Sequence, residues 1–230
     1  MKLGLYSDPH YSSQEITGGN RYNSRSLDKM KAAYKEFEDA GCDLIVCLGD
    51  LTDTEDTKQQ EEANMREIAA FFAACPIPTV VVMGNHDAYV FEPDEFYTLL
   101  GGCKPTDRVM ENQTLMFLSA NCNPDGSAYH PHAFHWDQCY LPTEGLRERL
   151  ATATGEVTVF LHQNLDAACP TDHRPVNADE VCRILAESGK VKRVYQGHFH
   201  WGADTMADGV HYVTLPAMCC YENTHRIIEI

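Results

Sequence analysis

The feature that most constrains the fold is a series of short apolar runs, rich in β-branched residues, spread along the whole chain. Each run is too short for a buried helix and is bounded by polar or glycine residues. Runs of this length and composition predict largely buried β-strands. They are Lys2–Ser7, Asp43–Leu48, Thr79–Met83, Thr114–Ser119, Val157–Leu161, Val191–Gln196, His211–Leu215 and Arg226–Ile230.

Amphipathic stretches with the period of an α-helix separate several of these runs. The first is Ser24–Ala40, and Gly41 follows it where a helix would end. Glu61–Ala74 and Asn177–Ser188 repeat the pattern. Strands and helices alternate in the first half, whereas strands dominate the second half. This order predicts an α/β fold in which two sheets pack face to face with helices outside, and we expect one domain over residues 1–230.

The charge balance argues against two classes of partner. The chain has 18 Lys and Arg against 34 Asp and Glu, a formal net charge of −16. Such a surface repels nucleic-acid backbones and anionic membranes, so we expect neither as a partner. No run approaches the ~18 apolar residues of a membrane span, and Met1–Ser7 lacks the length of a secretory signal.

Cysteine usage indicates a reducing compartment. The chain has 10 cysteines but no Cys-x-x-Cys pair, and most lie in or beside apolar runs. We therefore expect free thiols in a cytoplasmic protein. The adjacent Cys219-Cys220 pair is interpreted as packing, with redox activity as the alternative.

Polar residues follow five of the predicted strands at the point where each strand ends. Strand ends of this kind gather at one edge of the sheet, and that edge is where open α/β sheets place ligands. Carboxylate and amide oxygens combined with imidazole nitrogens suit manganese, iron, zinc or cobalt, so the pattern predicts a divalent metal site. Glycines at 49, 84 and 197 would let the backbone approach it closely. The segments are Asp8-Pro9-His10, Gly49-Asp50-Leu51-Thr52-Asp53, Gly84-Asn85-His86-Asp87, His162 and Gly197-His198-Phe199-His200.

Some roles stay open at this stage. Asp53 either accepts a hydrogen bond from a ligand histidine or a loop amide, or caps a helix in the Asp53–Thr57 turn. The assignment of His162 as a ligand depends on a single residue rather than on a motif. The three histidines of the predicted long loop Cys122–Tyr140 are the alternative source of that ligand. If it supplies no ligand, that loop is interpreted as a solvated lid over the site, with direct contact to the substrate as the alternative.

The ordered set Asp-x-His, Gly-Asp-x-x-Asp, Gly-Asn-His-Asp, His and Gly-His-x-His resembles the signature of the calcineurin-like metallophosphoesterases and spans Asp8 to His200. The resemblance implies a four-layer α-β-β-α sandwich of two mixed sheets flanked by helices, with the metal site at the strand ends. It also implies two divalent metal ions, bridged by Asp50. The remaining implied ligands are Asp8, His10 and His200 for the first ion, and Asn85, His162 and His198 for the second.

The same resemblance implies a role for His86 and Asp87 in catalysis. His86 would face the scissile phosphate while Asp87 holds its ring, so that the imidazole stabilises phosphate charge or protonates a leaving oxygen. Two cations about 3.5 Å apart would lower the pKa of the water between them, and the resulting hydroxide would attack phosphorus in line. We expect a hydrolase of a small phosphodiester or nucleoside-diphosphate-type substrate. The alternatives are a phosphomonoesterase, including a protein phosphatase, or a non-catalytic metal-binding scaffold.

A weaker resemblance points to the ADP-ribose and CDP-alcohol pyrophosphatase subgroup and to cyclic-nucleotide phosphodiesterase-like members of the family. Gly19–Leu27 is similar to the Arg-Tyr…Ser-Leu stretch of the former subgroup. It implies that Arg21 or Arg25 contacts a substrate phosphate. A helix cap by Ser24 or Ser26 is the structural alternative.

Overall fold

The computed structural model describes residues 1–230 and confirms the predicted sandwich of two mixed sheets with helices on the outer faces. The smaller sheet has the strand order β10-β1-β2-β3. Its parallel strands are β1 (Lys2–Tyr6), β2 (Leu44–Cys47) and β3 (Thr79–Val81), and β10 (Arg226–Glu229) is antiparallel at one edge.

The larger sheet has six strands in the order β4-β5-β6-β7-β9-β8. Its four central strands are parallel, and the two edge strands are antiparallel. The edge strands were not predicted, because one has two residues and the other has no apolar run. The strands are β4 (Arg108–Val109), β5 (Gln113–Phe117), β6 (Glu156–Phe160), β7 (Val191–Gln196), β8 (Ala203–Ala207) and β9 (Val210–Thr214).

Both faces of the central strands are buried, which explains why their sequences are apolar runs without alternation. Along β2, Leu44 and Val46 point into the layer between the sheets, while Ile45 and Cys47 face the helices. The larger sheet fills the inner layer with aromatic rings. The Phe160 ring stacks on Phe117 and Tyr195 at centroid distances of 5.2 and 5.7 Å.

The three predicted helices are present as α1 (Ser26–Asp39), α2 (Lys58–Ala74) and α6 (Ala178–Glu187). As predicted, α1 is followed by Gly41, which adopts a φ of 68°. Three further helices were not predicted, because six or seven residues are too few to show a helical repeat. They are α3 (Asn85–Val90), α4 (Pro93–Leu99) and α5 (Leu146–Thr152). None of these helices combines the length and apolarity that crossing a bilayer requires.

At one edge of the sandwich, backbone hydrogen bonds join the carboxyl ends of neighbouring strands within each sheet, and the backbone N–H of His198 links the two sheets by donating to Asp8 Oδ2 at 3.0 Å. The Asp8 N–H donates to the carbonyl of Gly49 (3.1 Å), and the Gly197 N–H donates to that of His162 (2.9 Å). The predicted long loop, 122–140, is irregular apart from a 3₁₀ turn at Trp136–Gln138. The fold therefore brings the polar strand ends to one place.

Candidate metal centre

Three of the predicted ligands form a first group at the ends of β1 and β7. His10 Nε2 and His200 Nε2 lie 3.2 Å apart. Asp8 Oδ1 lies 3.8 Å from His10 Nε2 and 3.5 Å from His200 Nε2. Asp8 and His10 are fully buried, so these atoms point into the protein rather than into bulk solvent. We call Asp8, His10 and His200 the first group.

A second group forms at the ends of β3, β6 and β7. His162 Nδ1 donates to the carbonyl oxygen of Leu48 (2.8 Å), so Nε2 is the ring nitrogen that faces the site, 2.9 Å from Asn85 Oδ1. The His198 ring lies 4.9 Å from the His162 ring, and its buried Nε2 has no hydrogen-bond partner. An unpaired imidazole nitrogen beside another ring nitrogen and an amide oxygen is a donor set that suits a divalent cation. We call Asn85, His162 and His198 the second group.

Asp50 lies between the two groups. Its Oδ2 is 3.4 Å from His10 Nε2 and 3.3 Å from His162 Nε2. Its Oδ1 accepts a hydrogen bond from the backbone N–H of His86 at 2.8 Å. One carboxylate oxygen therefore faces a ligand nitrogen of each group, as a bridging ligand must.

The backbone at these positions is in an unfavourable conformation. Seven non-glycine residues in the chain have positive φ, and four of them are predicted ligands: Asp8 (52°), His10 (44°), Asp50 (51°) and His198 (66°). Each such residue costs of order 1–3 kcal/mol unless its surroundings hold it there. The concentration of this strain on the predicted ligands marks the edge as a functional site.

Two of the predicted glycines are required by close approach of the backbone. A Cβ on Gly84 would collide with Asp50 Oδ1, and a Cβ on Gly197 would collide with Ser7 Oγ and come within 2.6 Å of Asp8 Oδ2. Any side chain at these positions would displace a carboxylate of the site. The glycines therefore fix where Asp8 and Asp50 lie.

The buried charges of the site depend on one another. Burial opposes ionisation of Asp50, yet the positive charge of His162 and His86 holds the pKa of that carboxyl well below its usual value. Burial also works against a charged His162, but Asp50 and Asp8 raise its pKa to about 9. Burial and the charge on His162 lower the pKa of His198. The carboxylates thus attract positive charge into a buried site, which protonated imidazoles meet in part and bound cations would meet more fully.

The prediction that Asp87 holds the ring of His86 is wrong. Asp87 is fully buried and accepts hydrogen bonds from the N–H groups of Leu51 (3.0 Å), Thr52 (3.3 Å) and Gly84 (2.9 Å). Since residues 86 and 87 are consecutive on α3, their side chains point to different sides of the helix. Asp87 therefore ties together the loops after β2 and β3.

Asp53 takes the place beside His86 instead. His86 Nδ1 lies 3.0 Å from Asp53 Oδ1, within ion-pair distance although the ring N–H is not aligned for a hydrogen bond. The helix-cap alternative for Asp53 is wrong, because Thr57 caps α2 by accepting from the Gln60 N–H at 3.3 Å. Asp53 is thus a carboxylate behind the site.

The segment that resembles the pyrophosphatase stretch wraps around Asp53. Arg21 donates from one terminal nitrogen to both carboxylate oxygens at 2.9 Å, and Asn23 Nδ2 donates to Oδ2 at 2.8 Å. Arg25 is exposed and lies away from the cleft, so the structure brings only Arg21 of the two arginines to the site. Neither Ser24 nor Ser26 provides a side-chain cap to α1.

The histidines of loop 122–140 do not join either group. His130 is exposed and lies 3.6 Å from Glu92, and the His132 ring packs edge-on against Tyr89 at 5.2 Å. His135 is also exposed. The loop contributes Phe134 and Trp136 instead, and these line the open cleft above the metal groups. Sequence reasoning missed both, because an aromatic residue in a loop shows no pattern.

The cleft has two lobes that share Arg21, Asn85, His86 and Trp136. The metal lobe, of about 370 Å³, also contains His173, whose ring lies 4.9 Å from that of His198. The aromatic lobe, of about 320 Å³, is completed by Thr54, Tyr89 and Phe134. A cavity of about 400 Å³ beside β3 and β5 holds none of the predicted ligands, so size alone does not mark the site.

Two buried amides link the loops that carry the second group. Asn121 Nδ2 donates to the carbonyl oxygens of Met83 (2.7 Å) and Gly84 (3.3 Å), and Gln163 Nε2 donates to Asn121 Oδ1 (2.7 Å). Gly84 precedes Asn85 and Gln163 follows His162. We call the Asn121–Gln163 pair the amide clamp, which was not predicted because Asn121 follows β5 outside any motif.

Comparison with known proteins gives a consistent result. Solved structures of similar fold include a dimetal phosphatase from Danio rerio, with a TM-score of 0.74 and 16% sequence identity over 95% of this chain and 88% of that chain. A purple acid phosphatase from yellow lupin (Lupinus luteus) seeds has a TM-score of 0.61 at 13% identity, over 100% of this chain and 46% of that chain. An archaeal phosphodiesterase has a TM-score of 0.50 at 13% identity, over 100% and 93%.

At these identities the similar structures establish the shared fold alone. A search of curated proteins gave no significant match. The sequence profile of the family described as calcineurin-like phosphoesterase matches residues 1–202, which is most of the chain and includes every predicted metal ligand. The protein therefore belongs to the calcineurin-like phosphoesterase family.

Proposed function

We propose that this protein is a two-metal phosphoesterase that hydrolyses a small phosphodiester or nucleoside-diphosphate-type substrate. The observation that carries the proposal is the position of Asp50 Oδ2, 3.4 Å from His10 Nε2 and 3.3 Å from His162 Nε2. A carboxylate oxygen shared by two ligand groups suits two cations about 3.5–4 Å apart, the spacing of two-metal hydrolases.

The donor sets fit the two ions. Carboxylate, amide and imidazole donors suit manganese, iron, zinc or cobalt. The buried Nε2 of His198 has no hydrogen-bond partner, and binding a metal ion would satisfy it. When bound, the two cations supply Lewis-acid activation of water and neutralise charge on the phosphoryl oxygens. The first group would hold one ion, the second group the other, and Asp50 both.

His86 is proposed to act on the substrate rather than on a metal. It lines both lobes of the cleft, and its Nδ1 lies beside the Asp53 carboxylate at 3.0 Å. Asp53 in turn is held by Arg21 and Asn23. With Nδ1 turned toward this carboxylate, the ring keeps Nε2 for a phosphoryl or leaving oxygen, where a donor stabilises developing charge.

The shape of the cleft supports a substrate with an organic group beyond the reacting phosphorus. The metal lobe would hold the phosphoryl group, and the aromatic lobe, lined by Tyr89, Phe134 and Trp136, would hold an apolar or planar group bonded to it. Arg21 lies where the lobes meet, so a second phosphoryl group would be within the range of its guanidinium. These features favour a diester or diphosphate substrate over a simple monoester substrate.

The proposal is tested with protein purified without chelator and then loaded with manganese, iron, zinc or cobalt. Elemental analysis should give well over one equivalent per chain, and chelation should abolish hydrolysis. A substrate panel containing an aryl phosphodiester, an aryl phosphomonoester and ADP-ribose should rank the monoester last. Full-rate cleavage by metal-free protein would refute the two-metal site, whereas preference for the monoester would refute only the substrate class.

A further inference from the structure

The segment that follows β9 packs against the strand ends that carry the first group. The Ala217 N–H donates to the carbonyl of His200 (3.0 Å), and the Cys219 N–H donates to that of Asp8 (3.1 Å). Between them, the Met218 N–H donates to the Ser7 carbonyl at 3.0 Å. Three hydrogen bonds therefore fix this backbone directly beside two predicted ligands of the first ion.

The Cys219 thiol is part of the ligand cluster itself. The side chain is fully buried, and the ligand atoms of His10, His200 and Cys219 all lie within 4.8 Å of one another. With metal–sulfur and metal–nitrogen bonds of about 2.3 and 2.0–2.1 Å, adjacent donors on one ion are roughly 3–4 Å apart. The separations, all within 4.8 Å, are therefore a small side-chain movement away from those of donors on one metal ion.

Cys220 has a different position from its neighbour. Its Sγ lies 3.6 Å from Nδ1 of His200 and 3.6 Å from Cys219 Sγ. The Nε2 atom of His200 faces His10, so Cys220 contacts the ring nitrogen that points away from the first group. Such a contact orients a ligand ring without supplying a ligand. The two thiols thus differ in what they can do, which makes one a control for the other.

We propose that Cys219 is a thiolate ligand of the first metal, beside Asp8, His10, His200 and the bridging Asp50. The inference rests on the proposed two-metal function and identifies the class of ion. On binding, the thiol proton leaves to solvent and a sulfur lone pair forms the metal–sulfur bond, with no change in oxidation state. Because thiolate is a soft ligand, the first site selects zinc, iron or cobalt over manganese and magnesium. The second group has only oxygen and nitrogen donors.

Cobalt substitution tests this ligand directly, because cobalt bound to thiolate shows an intense near-ultraviolet charge-transfer band that oxygen and nitrogen ligands do not give. The metal-free protein titrated with cobalt should develop the band within two equivalents. Cys219→Ser and Cys219→Ala should lose it, and Cys220→Ser should keep it. Cys103→Ser, which changes a half-buried thiol lining no part of the cleft, controls for cobalt bound elsewhere. Circular dichroism establishes that each variant is folded.

A competition experiment measures the selectivity. The ratio of zinc to manganese affinity at the first site should fall roughly tenfold or more in Cys219→Ser. Two bound cobalt ions with chelator-sensitive hydrolysis but no charge-transfer band in the wild-type protein would overturn the thiolate ligand and leave the proposed function standing. A band that survives both Cys219 substitutions would do the same. If no cobalt binds, both the ligand and the proposed function are overturned.

Discussion

The two ligand groups are alike in composition but differ in what surrounds them. In the second group, His162 donates to the main-chain carbonyl of Leu48 and both neighbouring loops are joined by the amide clamp. In the first group, His200 has one ring nitrogen beside the Cys220 thiol, and its side chain is 20% exposed, whereas that of His162 is 0% exposed. A main-chain carbonyl fixes a ring more rigidly than a thiol at 3.6 Å. We therefore expect the second site to be preorganised and the first to be more adaptable.

The hydrogen-bond network around Asp53 adjoins the first group. Asp53, with Arg21 and Asn23 attached, lies on the side of the first group, since Asn23 Nδ2 also donates to the carbonyl oxygen of His10 at 2.6 Å. His86 reaches this network through its ring and reaches Asp50 through its backbone N–H. The adaptable first site therefore adjoins the residues proposed to contact substrate, while the amide clamp supports the loops that carry the second group.

The largest expected effect comes from Asp50, the residue that the two groups share. Asp50→Ala should remove metal from both sites and lower hydrolysis roughly a thousandfold or more, because two cations would then face each other without the intervening negative charge. His162→Ala should affect mainly the second site. Elemental analysis after manganese or zinc loading, alongside turnover, compares the two. Near-normal metal content in Asp50→Ala would show that the two groups do not share a bridge.

The second prediction separates catalysis from metal binding on the side of the first group. His86→Ala should retain both metals and lower kcat roughly a hundredfold, in line with the loss of one donor to a developing negative charge. Asp53→Asn should also lower kcat, since it removes the negative charge that lies 3.0 Å from His86 Nδ1. Asp87→Asn should instead lower the melting temperature, because it disrupts hydrogen bonds to three backbone N–H groups. Loss of metal with normal turnover per bound ion in His86→Ala would make His86 a ligand.

A site residue could be predicted from the sequence where a recognisable strand or motif lies next to it in the chain. Asp8, Asp50, Asn85 and His198 each lie within two residues of the end of a predicted buried run, so the run itself brings them to the edge. The three short helices and the two edge strands had too little length or burial to show a period. The sandwich could therefore be predicted from its buried strands, and its peripheral elements could not.

The missed residues depend on contacts between distant parts of the chain. Asp53 reaches His86 across 33 positions, a pairing that only the packing of the β2 and β3 loops creates. Asn121 and Cys219 follow β5 and β9, whose exits carry no motif, and both act beside residues far away in sequence. The family resemblance placed Asp87 against the His86 ring, but the helical turn of α3 directs the two side chains to different sides.

The third prediction concerns Arg21, which lies on the side of the first group. Arg21→Ala should lower kcat/KM on every substrate, because it removes two contacts to Asp53 at 2.9 Å. On ADP-ribose it should cost a further ten- to a hundredfold relative to an aryl phosphodiester, or ~1.5–3 kcal/mol, since the second phosphoryl group loses a charged donor. Arg25→Ala, a change at an exposed arginine outside the cleft, is the matched control. Equal losses on both substrates would remove the nucleotide-specific interpretation and keep the structural role.

The smallest expected effect tests whether the amide clamp serves the second site alone. Asn121→Ala would leave the Met83 carbonyl and the Gln163 amide without partners in a buried place, costing ~1–3 kcal/mol of stability. Because Gly84 precedes Asn85 and Gln163 follows His162, we expect roughly tenfold weaker metal binding at the second site and no change at the first. Thermal unfolding and stepwise metal titration by calorimetry measure the two quantities.

Asn23→Ala is the corresponding change on the other side, since this amide donates to the His10 carbonyl and to Asp53. It should weaken the first binding site and leave the second intact, the reverse of Asn121→Ala. A pair of variants with opposite effects would establish that the two sites are supported by separate networks, with Asp50 as their link. If either variant weakened both sites equally, the supports would be one cooperative unit, and the contrast between a rigid and an adaptable site would fail.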